Sequence, residues 1–152
     1  MTPPLGDVFP NDIKTALAKE NFRIGSVLKF FCSVAQKEKR FVYMGDKFDG
    51  QTIALVHINS EINENCFPTP ELKSEHILLE KNATRPFLDR NSYVNCTQLI
   101  LRTKEDIYNL IVKTPTVHLG QLTEDDYKEI KSKIRASRIL KPAHKKEFGL
   151  FL

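Results

Sequence analysis

The sequence has no apolar run near the roughly 18 residues that a membrane-spanning helix needs. Its longest candidate, from Val27 to Phe31, is interrupted by Lys29. No membrane partner is therefore expected. The first seven residues hold no basic cluster followed by an apolar stretch, so no secretory signal is expected either. Cysteine is scarce. Cys32, Cys66 and Cys96 are an odd number at wide, motif-free spacing, which indicates neither a disulfide framework nor a paired-cysteine site. The expectation is reduced thiols in a cytoplasmic protein. The sequence also lacks GxxxxGK[ST] and GxGxxG phosphate loops, HExxH and GxSxG. This weighs against a nucleotide-dependent enzyme, a metalloenzyme or a serine hydrolase, and neither a metal nor a cofactor is expected. The histidines, His57, His76, His118 and His144, lie in separate segments. His57, inside an apolar strand, reads as a core or cleft residue, and the Asp125-Asp126 pair reads as helix capping.

What is present is an ordinary globular composition. The chain has 152 residues, 41% hydrophobic and 28% charged, enough for one domain and one sizeable core. The net charge is only +4, and its distribution matters more than its size. Lys128, Lys131, Lys133, Arg135, Arg138, Lys141, Lys145 and Lys146 gather toward the C-terminus, opposed by Glu129 and Glu147. Such a patch can attract phosphate backbones, but on charge alone a solvated helix face and tail is the better account of it.

The order of elements indicates a mainly β fold. Asn11-Asp12 can cap a helix to about residue 20, with Ile13, Ala16 and Leu17 on one face. Strand-like segments follow Gly25 at 26–32, 40–44 and 52–58, separated by turn formers such as Gly45-Asp46 and Asp49-Gly50. Ile53-Ala54-Leu55-Val56 is apolar on both faces and reads as a central strand covered on both sides. Residues 61–75 read as one long polar loop. Further strands are expected at 76–80, at 92–102 with a break near Cys96, and at 116–119. Thr103 and Thr123 start helices; Ile107, Leu110 and Ile111 form the buried stripe of the first, and Tyr127, Ile130 and Ile134 that of the second. Many short strands with a closing helix fit a small, strongly bent antiparallel sheet or barrel. The organisation expected is an arm with a short helix over 1–24, a barrel over 25–136 and a basic tail over 137–152.

Four stretches bear on identity. They are Gly25–Phe31, Lys39–Met44, Thr52–Ser60, and the pair Ser92–Leu99 with Leu119–Asp126. In pattern and order, residues 25–134 resemble the MazF/PemK family of toxin endoribonucleases, small SH3-like antiparallel β-barrels of the MazF/CcdB type with a C-terminal helix. The sequence departs from the family pattern around Arg40, where Glu38-Lys39 and Phe41 replace a nearby glycine and a following proline.

The resemblance implies metal-independent cleavage of single-stranded RNA, the ribose 2′-OH attacking the adjacent phosphate to leave a 2′,3′-cyclic phosphate. Arg40 would hold and neutralise the scissile phosphate, and Ser60 would donate a hydrogen bond to it. Lys39, Tyr43, His57, Asn59, Phe67 and Gln98 would line the substrate groove. Tyr43 and Tyr93 also fit ordinary core packing. Loops at 33–39 and 61–75 would read flanking bases. The family further implies a homodimer and a cognate antitoxin. Two alternatives stand beside this reading: an inactive barrel that binds nucleic acid or protein, and a CcdB-like gyrase inhibitor using the apolar C-terminus from Phe148. An apolar terminus docked on its own domain explains those last residues as well.

Overall fold

The computed structural model describes Ile13 and residues 21–150. The helix expected near residues 11–20 lies outside the described residues, apart from Ile13, which is helical. The strands are β1 (Ser26–Cys32), β2 (Lys37–Asp46), β3 (Thr52–Asn59), β4 (His76–Leu79), β5 (Ser92–Asn95), β6 (Ile100–Thr103) and β7 (His118–Gln121). The helices are α1 (Pro70–Ser74), α2 (Lys104–Lys113), α3 (Glu124–Ala136) and α4 (Pro142–Glu147), with a 3₁₀ turn at Pro115–Val117. All seven strands join one antiparallel sheet in the order β4-β5-β3-β2-β1-β7, with β6 also on β3. The sheet curls into a half-barrel with helices against it, so the expected mainly β class holds.

β3 is the organising strand. β2 pairs along one of its sides, while β5 and β6 share the other, β5 at Ile58-Asn59 and β6 at Thr52–Leu55. These two are the expected strand over 92–102, interrupted beside Cys96 as its sequence suggests. Alternation of side chains then divides the core in two. Val42, Met44, Ala54, Val56 and Ile58 pack with Ile130 and Ile134 of α3. Phe41, Tyr43, Ile53 and Leu55 pack with Phe22 and with Ile107 and Ile111 of α2. The residues Ile53 to Val56 are 0% exposed, as expected of a strand covered on both faces.

Helix ends follow their capping residues. Thr103 and Thr123 accept hydrogen bonds from the backbone N–H groups of Asp106 and Asp126, and acidic first turns with basic last turns suit the helix dipoles. Residues 61–75 correct an expectation. The polar sequence suggests one long loop, but Thr69 caps a short helix whose first residue is Pro70. Proline at the first helical position costs no hydrogen bond, so the same residue that suggested a loop starts a helix. The strand expected at 116–119 is also displaced: Val117 ends the 3₁₀ turn, and pairing begins at His118.

Beyond α3 the chain returns to the sheet. Leu140, Phe148 and Leu150 join the core beneath α3, each under a tenth exposed. Lys145 is 3% exposed, and its ammonium donates to the carbonyls of Arg135 and Ser137, satisfying the end of α3. Gly45 lets this segment approach β2. A Cβ there would sit 2.6 Å from the Phe148 carbonyl oxygen. The described part of the apolar terminus is thus docked on its own domain.

Candidate functional site

The start of β2 and the end of β3 lie side by side, Arg40 opposite Ile58, and polar side chains collect there. Strand alternation assigns them to two faces. Arg40 shares the α3 side with Ile58, and Ser60 follows β3 there. Lys39, His57 and Asn59 belong to the side of Phe41 and α2. Two clefts result, and they meet at the end of the sheet.

The first has a volume of about 180 Å³ and is lined by Lys37, Lys39, Arg40 and Arg90, with Asn59, Ser60, Ser92, Glu38 and Asp89. Arg40 is anchored twice. Its Nε–H donates to the Phe87 carbonyl at 3.0 Å, and Nη2 donates to Asp89 Oδ2 at 2.7 Å. Among the described residues no protein group bonds Nη1, so part of the guanidinium fork remains for a ligand. The Asp89 carboxyl is held below the usual carboxylate range by the hydrogen bond from Arg40 and by its charge.

The loop carrying Asp89 is braced on both sides. Phe87 and Leu88 are 4% and 1% exposed in the core. Arg85 forks onto Asp126 of α3 at 2.8 and 2.9 Å, and Lys81 Nζ donates to the Leu88 carbonyl. That bidentate geometry fixes the loop against α3 and raises the Arg85 pKa while lowering that of Asp126.

The second cleft, about 300 Å³, is lined by Cys32, Val34, Lys37, Lys39, His57, Asn59, Ser60, Asn63, Cys66 and Phe67, among others. Lys39 Nζ donates to Asn59 Oδ1 at 2.7 Å, and burial together with Lys37 lowers its pKa. His57 lies 4.8 Å from the Phe41 ring, and its Nδ1 is buried with no hydrogen-bond partner among the described residues. Burial, then Lys39 and Arg102, push its pKa down to about 4, so the ring is neutral near pH 7. Phe67 packs edge-on against His76 at 4.5 Å, which holds the 61–67 loop beside the cleft.

Of the residues expected at the site, Arg40 lines the first cleft, and Lys39, Asn59 and Ser60 line both. His57 and Phe67 line the second cleft only. Two residues sit elsewhere. Tyr43 is 1% exposed, stacks on Phe22 at 4.6 Å and donates to Asp46, which makes it a core residue. Gln98 is exposed between β5 and β6 and lines neither cleft. Sequence reasoning missed Lys37, Asp89, Arg90 and Ser92. The polar run Asp89-Arg90-Asn91 behind the apolar pair Phe87-Leu88 was the available signal, but nothing local says which strand end it meets. Cys96 is fully buried, and burial pushes its thiol up to about 12; no thiol here is paired. Among the described residues no cluster of His, Cys, Asp and Glu could hold a metal ion, and no helix is long and apolar enough to cross a membrane. Neither a family model nor a curated protein matches this chain.

Proposed function

We propose that this protein is a metal-independent endoribonuclease acting on single-stranded RNA, with Arg40 and Ser60 at its centre. One observation carries the reading: Arg40 of β2 and Ser60, just past the end of β3, line one cleft with Lys37, Lys39 and Arg90. Cations and hydroxyls around a narrow cleft suit a phosphodiester, which needs charge neutralisation and hydrogen-bond donors. In the proposed reaction the ribose 2′-OH attacks phosphorus, losing its proton, and the 5′-oxygen departs, gaining one. The products are a 2′,3′-cyclic phosphate and a 5′-OH. Arg40, oriented by Phe87 and Asp89, stabilises charge on the phosphorane oxygens, and Ser60 donates to one of them. The second cleft then receives a neighbouring base, with neutral His57, Asn59 and Phe67 along its wall. The resemblance to MazF/PemK toxins extends the proposal to a cytoplasmic homodimer whose groove an antitoxin covers.

A second reading, RNA binding without chemistry, draws on the placement of His57. The imidazole near the clefts faces away from Arg40, which leaves the first cleft without a histidine base. Incubation with mixed-sequence single-stranded RNA in EDTA separates the two. Wild type should yield fragments ending in cyclic phosphate, and Arg40→Ala should lower the rate at least about 100-fold, as loss of a transition-state donor does. Intact RNA with wild type, but a retained gel shift, would favour the binding module.

A further inference from the structure

We propose that Asp89 biases the Arg40 cleft against a terminal phosphate, with two negative charges, and toward an internal phosphodiester with one. The proposal rests on the reading of this cleft as a phosphate seat. Asp89 is where a bound anion would compete: its carboxylate lies 2.7 Å from Arg40 Nη2, in the same cleft as Lys37, Lys39 and Arg90. Lys29, opposite Arg40 on β1, and Lys81 also act on this carboxylate. An anion entering beside Arg40 therefore meets several cations and one fixed negative charge. The cations attract a dianion about twice as strongly as a monoanion, and the Asp89 carboxylate repels it about twice as strongly, so this acid offsets part of the advantage that the cations give a terminal phosphate. A phosphomonoester, with its second pKa near 6, carries close to two charges at pH 8.

The backbone that carries the carboxylate is held in place. Phe87 and Leu88 are buried, Arg85 is forked onto Asp126, and the backbone N–H of Lys81 donates to Asn91 Oδ1 at 2.8 Å, so the loop is fixed on either side of Asp89. Glu38, the other acid in the cleft, is 3.6 Å from Lys29 and is offset by it. Asp89 itself is 74% exposed on its outer side, so its removal should spare the fold.

Two uncleavable probes test this at pH 8: a deoxydinucleotide with one internal phosphodiester, and the matching deoxynucleoside 3′-monophosphate. Calorimetric titration gives the ratio of the two affinities in wild type and in each variant. Asp89→Asn should shift that ratio roughly three- to tenfold toward the monophosphate, chiefly by tightening the monophosphate, with an unchanged melting temperature. Arg40→Ala should weaken both probes. If Asp89→Asn keeps the wild-type ratio while Arg40→Ala loses both probes, the role of Asp89 is overturned and the phosphate seat stands. If wild type binds neither probe, or Arg40→Ala binds both unchanged, the seat falls and the role of Asp89 with it.

Discussion

His57 is a ring kept neutral by its surroundings. In the unfolded chain it would titrate near its ordinary value of 6.5, whereas in the fold it resists protonation until about pH 4. Between these values the unfolded chain holds a proton that the folded chain refuses, so stability falls as the pH is lowered through that window. Because the ring is partly exposed, the loss attributable to His57 should be on the order of 1 kcal/mol. Urea midpoints at pH 7 and pH 5 measure it. His57→Gln should reduce the drop without removing it, because burial also lowers the pKa values of His76 and His118. An equal drop in the variant would place the acid sensitivity in other groups. The sequence showed His57 inside an apolar strand and allowed core or cleft; it is in fact at both, its ring against Phe41 and its edge on the second cleft. Tyr43 and Lys39 have the same strand parity; the aromatic ring of Tyr43 suited core packing, and it is in the core, while Lys39 ends at the rim. That difference arises from Phe22 and α2, which cover only part of the face.

At the scale of elements, the segment around α4 contributes to the core as much as a strand does. Gly45→Ala tests this directly. The added Cβ would meet the Phe148 carbonyl oxygen at 2.6 Å, and a backbone atom has little room to yield. The segment should shift away and expose Phe148 and Leu150, costing about 2–4 kcal/mol in urea unfolding. Hydrogen exchange should quicken in residues 140–150 before the rest of the chain. An unchanged midpoint would mean that the docking adds little. Local chemistry predicted α2 and α3 well, because their caps and apolar stripes lie within one short window. It placed β5 and β6 correctly because Cys96 to Leu99 break the alternation. The apolar end from Phe148 offered docking on its own domain, and Phe148 and Leu150 do dock; the part played by Leu140 and the partners on β2 were hidden, since a basic sequence with scattered apolar residues reads as a tail.

For the whole molecule, one sheet has two cores, and β3 belongs to both. Loss of either core exposes one face of the strands that hold the other. Unfolding should therefore be a single transition, with far-UV circular dichroism and the near-UV signal of the tyrosines superimposing. With no tryptophan and four tyrosines, that near-UV signal includes Tyr43 in one core and Tyr127 packed against the other. Separated midpoints would show that the two faces melt independently.

The bulge near Met44 has a consequence for how this fold tolerates change. The pairing of β2 with β3 shifts there, between Tyr43–Leu55 and Gly45–Ala54. The turn between β2 and β3, residues 47–51, can gain or lose a residue while the pairs from Val42–Val56 to Arg40–Ile58 stay in step. A residue inserted between Arg40 and Val42 has no such refuge. It exchanges inward and outward positions at the end of the strand, moving Arg40 to the place of Lys39 and so toward the opposite cleft. Length variation is thus absorbed in the turn, whereas beyond the bulge it inverts both clefts.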